Sequence, residues 1–332
     1  MTAGNQAAAA SSSTQELFVR QVRYEGRNIQ SYELVDPEGR DLPPFTAGAH
    51  IDVHLENGIV RQYSLCNSPG DRRRYVIAVL RDEKGRGGSK AVHEHLKVQD
   101  RVRVSCPRNH FELAEGARKV ILIAGGIGVT PLKSMAHQLA GRDDAGCELH
   151  YCARDAQSAA FTEELASLIE PGRLHFHFDG GDPAKGLDIA QLLRNEAQDG
   201  THVYYCGPAG FMRACADASA DWPKGTVHCE HFKAPERAVP RDERTPGGFT
   251  VEIASTGERL RVPVDQSIAD VLKAAGVPVQ TSCEAGLCAT CKVRYLSGEV
   301  EHQDCILDGD DQQNFLTICV SRAKSELLVL DL

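Results

Sequence analysis

Four cysteines near the end of the chain have a spacing that can do chemistry. Cys283, Cys288 and Cys291 form a C-x4-C-x2-C run, and Cys319 follows after 27 intervening residues. This is the plant-type spacing for thiolate ligation of a [2Fe–2S] cluster. Four thiolates on two irons leave net negative charge, so the sulfurs need backbone N–H donors around them. The small residues Ala285, Gly286 and Ala289 let the loop wrap closely enough to supply these donors. Zinc sites usually combine paired short-spaced ligands, and only one C-x2-C pair is present here, so iron–sulfur ligation is expected over zinc. Such a cluster carries electrons and is not a Lewis acid. The other eight of the twelve cysteines, among them Cys66, Cys106 and Cys229, are expected to be ordinary thiols without chemistry.

A second constellation is built for phosphates. Gly125-Gly126-Ile127-Gly128-Val129-Thr130-Pro131 follows the apolar run Val120 to Ala124 and opens a helical pattern. Its N–H groups and the helix dipole can hold a pyrophosphate, with Thr130 expected as N-cap and Pro131 as first helical residue. The third glycine of the simple GxGxxG fingerprint is missing. Cys206-Gly207-Pro208 ends another strand at the carboxyl edge where open parallel sheets bind ligands, so the two turns are expected to line one crevice. Upstream, Arg61-Gln62-Tyr63-Ser64 puts an arginine for phosphate and an aromatic ring for a planar heterocycle on one face of a strand, with Ser64 on the other. Gly85-Arg86-Gly87-Gly88-Ser89 precedes a short helical stretch ending near Leu96, where a serine cap and free N–H groups would suit a single phosphate.

Several elements must position these groups. From Leu17 to about Leu113 short alternating strands are separated by turn signals, Asp36 to Gly39 closing one hairpin and Asn57-Gly58 another, which predicts a small antiparallel β-barrel. After Glu115-Gly116 the period changes to buried strands alternating with helices: Val120 to Ala124, a helix from Pro131 to Ala140, strands at Glu148 to Cys152 and His202 to Cys206, then another helix. That pattern predicts an α/β domain with a parallel sheet. Lys233 to Gly248 carries three prolines and no apolar period, as an interdomain linker does. Beyond it, strands at Phe249 to Ile253, Leu260 to Val264 and Leu327 to Leu330 surround a helix from Ser267 to Ala275 stopped by Gly276, predicting a compact α+β domain. The expected division is a loose tail at 1–15, a flavin barrel at 16–114, a nucleotide domain at 115–232, a linker at 233–247 and an iron–sulfur domain at 248–332.

Over residues 16 to 332 the chain resembles the phthalate dioxygenase reductase family, with vanillate demethylase reductases as near relatives. The resemblance rests on RQYSL (Arg61 to Leu65), GRGGS (Gly85 to Ser89), GGIGVTP (Gly125 to Pro131), CGP (Cys206 to Pro208), HCEHF (His228 to Phe232) and the cysteine signature, all in the family's order. It implies a ferredoxin reductase-like flavin barrel, an NADH domain and a C-terminal plant-type ferredoxin domain that deliver electrons to a Rieske-type oxygenase. By the same resemblance Arg61, Tyr63, Ser64, Gly87, Gly88 and Ser89 contact FMN, with Ser64 near flavin N5. Gly125, Gly126, Gly128, Thr130 and Pro131 form the pyridine-nucleotide loop, Cys206 and Gly207 the nicotinamide end, and Glu230 and Phe232 a strip beside the flavin. Ser64, Cys206, Glu230 and Phe232 are thus the implied catalytic set. Ala289 departs from the family, many members having glycine there. FMN is expected over FAD because GRGGS resembles the family's single-phosphate site. NADH over NADPH also rests on resemblance, since Arg154 after the second strand could face a 2′-phosphate.

Composition narrows the partners. The chain has 332 residues, 42% hydrophobic and 25% charged, with a mean hydropathy of −0.32, and no apolar run approaches the roughly 18 residues that span a bilayer. Its 37 basic and 46 acidic residues give −9, against nucleic acid or an anionic membrane as a partner. Met1 to Gln15 lacks a cationic segment and a leucine-rich core, so a cytoplasmic protein is expected, and a monomer. Acidic residues concentrate in the last domain, where Asp304, Asp308, Asp310 and Asp311 are candidates for a rim that steers a basic partner, or for a merely solvated face. His93, His95, His175, His177 and His228 are expected to be surface or core residues. Competing functions are an FAD-containing reductase of a di-iron or haem hydroxylase and an iron–sulfur regulatory module.

Overall fold

The computed structural model describes residues 14–56, 58–85, 87–140, 142, 146–233, 248–307 and 309–332. The expected tail through residue 13, the linker at 234–247, Asn57, Arg86 and Asp308 lie outside the described residues. Internal packing divides the chain into two compact units, one ending at Phe232 and the other beginning at Lys233.

The first unit opens with an antiparallel barrel of β1 (Thr14–Gly26), β2 (Ile29–Val35), β3 (His50–His54), β4 (Val60–Ser64), β5 (Tyr75–Leu80) and β6 (Arg101–Ser105), with helix α1 (Gly88–His95) between the last two. The strand order is β4-β3-β6-β1-β2-β5, and a bridge between Leu65 and Ile77 brings the two ends of the sheet together. Period two drives the closure, because Leu17, Val19, Ile51, Val53, Ile77 and Val79 all point into one core. Asp36 to Gly39 is a turn, with Gly39 at φ 74° donating to Asp36 O at 3.0 Å, but it does not close a hairpin. β2 pairs with β1 and β5, and the chain leaving it crosses over to β3. A tight hairpin forms instead at Arg27-Asn28 between β1 and β2, where Asn28 tolerates φ 61°.

The second half of this unit is a parallel sheet of β7 (Lys119–Gly125), β8 (Gly146–Ala153), β9 (Leu174–Phe178), β10 (Thr201–Cys206) and β11 (Val227–Glu230), in the order β11-β10-β7-β8-β9. Among the described residues, helices α2 (Val129–Leu139), α3 (Thr162–Leu168), α4 (Ile189–Glu196) and α5 (Ala209–Ala218) cover it. Val129, Leu132 and Met135 of α2 and Leu165 of α3 pack on one face, and this core runs on into barrel residues Ile29, Ala47 and Phe111. Leu193 and Met212 of α4 and α5 cover the other face through Ile121, Ile123 and Val203. The shared core fixes the barrel against the sheet, and polar contacts set its register. Lys133, 2% exposed, donates from Nζ to Cys66 O at 2.7 Å and pairs with Glu164 at 2.7 Å, while Ser134 Oγ donates to Asn67 O at 3.0 Å. An ammonium so deeply buried persists because its hydrogen bonds are made.

The second unit contains β12 (Phe249–Ile253), β13 (Arg259–Val262), α6 (Ile268–Ala274), β14 (Lys292–Ser297), β15 (Val300–Glu301), β16 (Phe315–Thr317), β17 (Arg322–Ala323) and β18 (Leu327–Leu330). Its main sheet has the order β13-β12-β18-β14-β16, with β12 and β18 parallel. Ser267 and Asp270 form a reciprocal capping box at the start of α6, and Gly276 at φ 78° donates to Lys273 O at its end. Phe249, Val251, Leu272, Leu316 and Leu328 give this unit its own core. Among the described residues no helix is long and apolar enough to cross a membrane.

Candidate functional site

Three parallel strands deliver the central residues. Ala124 of β7, Cys206 of β10 and Glu230 of β11 are in direct register, so their carboxyl ends meet at one edge. The glycine turn after β7 packs backbone to backbone on the Cys206-Gly207-Pro208 turn: a Cβ on Gly128 would lie 2.1 Å from Cys206 O, and one on Gly125 would lie 2.9 Å from Pro208 Cδ. At Gly126, φ 55°, a Cβ would meet open space, as expected of backbone that faces a crevice. The helix starts earlier than its sequence signals suggest. A 3₁₀ turn over Gly126–Gly128 runs directly into α2, so Gly128 occupies the N-cap. Thr130 is therefore not the cap but lies inside the first turn, its hydroxyl donating back to Ile127 O at 3.0 Å. Pro131 is the third helical residue, still among the positions whose N–H has no intrahelical partner.

From the barrel side Ser64, 4% exposed at the end of β4, donates from Oγ to Glu230 Oε2 at 3.2 Å. His50 of β3 lies beyond, its Nδ1 3.9 Å from Glu230 Oε1 and its Nε2 buried without a hydrogen-bond partner. Burial, reinforced by the Arg108 charge, pushes the His50 imidazole down to about 3, so it is neutral. With a hydroxyl and a neutral imidazole as neighbours, Glu230 is pushed up by burial to about 8, the Ser64 hydrogen bond offsetting part of the rise. Burial, then the Glu230 charge, also raise the Cys206 thiol well above its ordinary range. The site thus holds a protonated carboxyl and a neutral thiol at pH 7. His50 carries no sequence signal, because only the packing of the barrel against the parallel sheet brings β3 near the end of β11. Phe232, two residues past Glu230, is 39% exposed.

Glu230 has a consequence for stability. The folded protein keeps its proton up to about pH 8, whereas the unfolded chain releases it near 4.5, so the folded state is increasingly disfavoured as pH rises between those values. Glu230→Gln is expected to be more stable than the parent at pH 8, with the advantage shrinking towards pH 5. Thermal melts at both pH values check this, and a pH-independent difference would sink it.

Arg61 and the α1 N-terminus converge as a phosphate site requires. The Arg61 side chain lies across Gly88, where a Cβ would come within 2.4 Å of Nε, and Gly87 occupies the helix N-cap at φ 80°. Ser89 is the second helical residue and not the cap, and its Oγ accepts from the Asp82 N–H at 3.0 Å, which fixes the preceding loop. Tyr63, expected beside Arg61, packs against the barrel core, and burial raises its phenol. Glycines that admit a guanidinium against helix N–H groups match one phosphate group, as in FMN.

In the second unit the four cysteines gather as two pairs. Cys291 Sγ and Cys319 Sγ are 3.1 Å apart. A hydrogen bond from Cys283 holds the Cys288 thiol below its ordinary range and raises Cys283 itself. Ala285 N–H and Leu287 N–H point at Cys283 Sγ at 3.4 and 3.3 Å, the donors that a negatively charged iron–sulfur core needs. Gly286, φ 72°, has Val320 Cγ2 2.7 Å from where a Cβ would sit. Two thiol pairs with converging N–H groups fit a [2Fe–2S] cluster. Ala289 adopts φ 52°, a left-handed conformation that costs an alanine roughly 1–2 kcal/mol. Ala289→Gly is expected to stabilise this unit by about 1 kcal/mol, read from denaturant unfolding followed by cluster absorbance. An unchanged midpoint would place the strain elsewhere.

Of the acidic residues between the third and fourth cysteines, Asp310 is exposed, whereas Asp304 does not belong to a surface rim. The Asp304 side chain is 0% exposed, and Oδ1 accepts from the Ile306 and Leu307 N–H groups at 3.2 and 2.8 Å, so this residue holds the loop from inside. Asp311 is paired with Lys292 through both oxygens at 2.8 Å.

Comparison with known proteins identifies the domain types and the family. A family model for oxidoreductase NAD-binding domains matches residues 122–217, and one for 2Fe-2S iron-sulfur cluster binding domains matches 251–324. The reductase subunit of tert-butanol monooxygenase / tert-amyl alcohol desaturase from Aquincola tertiaricarbonis is 54% identical over 95% of both chains. The vanillate O-demethylase oxidoreductase of Pseudomonas sp. (strain HR199 / DSM 7063) is 47% identical over 96% of this chain and 99% of that one. The solved structure of phthalate dioxygenase reductase, described as a modular structure for electron transfer from pyridine nucleotides to [2Fe-2S], superposes with a TM-score of 0.72 at 42% identity, covering 96% of this chain and 98% of that one. The chain therefore belongs to the phthalate dioxygenase reductase-like family of NADH-dependent oxidoreductases that use FMN and a [2Fe–2S] cluster.

Proposed function

We propose that this protein is the reductase of a Rieske-type oxygenase, a dioxygenase or O-demethylase acting on an aromatic ring, and that it works as a monomer in the cytoplasm. The observation that carries the reading is the meeting of the glycine turn, Cys206-Gly207, Ser64 and Glu230 at one sheet edge, in a chain that also gathers four cysteines in a second unit. Flavin, when bound, turns the two electrons of a hydride into single electrons, which the cluster carries one at a time. The protein's part is to hold and orient. Arg61 with the N–H groups of Gly87, Gly88 and Ser89 would hold the FMN phosphate, and Tyr63 would support the barrel wall behind the flavin. Gly125, Gly126 and Gly128, with the first turn of α2 at Thr130 and Pro131, would hold the pyrophosphate of NADH. Cys206 and Gly207 would shape the nicotinamide end, with Ser64, Glu230 and Phe232 lining the flavin side and Glu230 keeping its proton. Cys283, Cys288, Cys291 and Cys319 would ligate the cluster. A cytoplasmic location supplies NADH and keeps unpaired thiols reduced.

The test is NADH-dependent reduction of purified Rieske oxygenase components by the purified chain, with vanillate, phthalate and tert-butanol oxygenases as separate arms. Turnover with a vanillate or phthalate component supports the reading, and turnover only with the tert-butanol component removes the aromatic substrate. Reduction of none of them, in a protein that reduces cytochrome c with NADH, would overturn the Rieske partner. Arg61→Gln is expected to weaken FMN binding by about 2 kcal/mol, roughly thirtyfold, through loss of charge-assisted hydrogen bonds. Fluorescence titration of the flavin-free protein reads this, and unchanged affinity would move the phosphate elsewhere.

A further inference from the structure

The face of the parallel sheet that lies under α4 carries a group of side chains that electron transfer does not use. β8 and β9 run in parallel register with His150 beside His175, so Glu148, His150, His175 and His177 project from the same face as Ile121 and Ile123. His150 is 6% exposed and its ring stacks on His175 at 4.7 Å between centroids. Both imidazoles converge on one carboxylate oxygen: His150 Nε2 is 3.1 Å and His175 Nε2 3.3 Å from Glu148 Oε1.

We propose that Glu148, His150 and His175 form a site for one divalent cation of the zinc class. Ligands bound to tetrahedral zinc at roughly 2.0–2.1 Å stand about 3.3 Å apart, which matches both distances to Glu148. The three donor atoms all lie within 4.8 Å of one another, so closing the third edge takes a small side-chain adjustment. The surroundings suit a ligand set. His150 Nδ1 is 3.0 Å from His177 Nε2, a contact that orients the ring and leaves Nε2 towards Glu148, as partners behind metal-bound histidines do. Lys119 lies 3.4 Å from the other Glu148 oxygen but also pairs with Glu196, so one ammonium is shared by two carboxylates and a cation would balance the remaining negative charge. His177, the partner behind His150, borders a cavity of about 320 Å³ together with Leu187, Asp188 and Gln191. Three protein ligands leave the fourth position to water. Bound metal would tie the edge strand β9 to β8 and raise stability by linkage.

The test uses the holoprotein, with flavin and cluster iron in place so that the four cluster cysteines do not compete, titrated with zinc chloride by calorimetry and checked by elemental analysis. One zinc per chain is expected beyond the cluster iron, with a rise in melting temperature. His175→Gln, on an edge-strand ring that is 37% exposed, should weaken binding at least tenfold and abolish the melting shift, with NADH-to-ferricyanide activity unchanged as the measure of correct folding. Glu148→Gln should do the same. Absence of zinc uptake overturns the proposal. So does uptake that both variants retain, which would place the metal elsewhere, for example at Cys229 and His231, whose Sγ and Nε2 are 3.8 Å apart.

Discussion

Cys288→Ser is expected to abolish NADH-driven reduction of cytochrome c or of an oxygenase, by more than about two orders of magnitude, while NADH-to-ferricyanide activity stays near that of the parent. Cys288 is 1% exposed and lies in a loop whose N–H groups face the neighbouring sulfur, so a serine hydroxyl there cannot be exchanged for another ligand without rebuilding the loop. Iron content should fall to background. The flavin side should survive because the unit ending at Phe232 and the unit beginning at Lys233 each have a core of their own. Iron retained at two per chain would remove Cys288 from the ligand set. Loss of flavin together with iron would show that the units do not fold independently.

The second large effect is expected at Gly128→Ala. Gly128 has φ −61°, an ordinary value for alanine, so the whole penalty is steric. The new Cβ would sit 2.1 Å from Cys206 O and 2.4 Å from its carbonyl carbon, both backbone atoms on a buried strand end that cannot swing aside. The glycine turn and the Cys206-Gly207 turn must move apart by about an ångström, a displacement that costs on the order of a hundredfold in a positioned reaction. NADH reduction of the flavin, followed by stopped flow, should slow by that factor with flavin and iron contents unchanged. A rate within about twofold of the parent would mean that the two turns do not act together on the nucleotide.

The glycine turn was legible in the sequence as a phosphate loop, but its boundaries were not. Thr130 and Pro131 look like a cap and a first residue, and the structure starts the helix earlier because a 3₁₀ turn over Gly126–Gly128 satisfies the chain before Thr130 is reached. Asp36 to Gly39 has the composition of a hairpin turn and makes a turn, yet hairpin closure depends on which strand lies beside β2, which barrel closure decides. Asp304 counts as surface charge in any composition and is buried because its own loop, between β15 and β16, needs an acceptor for the Ile306 and Leu307 N–H groups.

By itself the sequence determined what local spacing can encode: the four-cysteine run, the order of barrel, parallel-sheet and α+β domains, the glycine turn and the Arg61 to Ser64 strand. These follow from side-chain period, turn chemistry and ligand geometry, all of which act over a few residues. Only the tertiary structure decided that Ser64 meets Glu230 across 166 positions, that His50 stands behind them neutral, and that Lys133 reaches into the barrel. It also decided that His150 and His175 share one oxygen of Glu148. The physical reason is that proton affinity and metal affinity depend on burial and on neighbours within a few ångströms, and those neighbours come from strands that sequence places far apart.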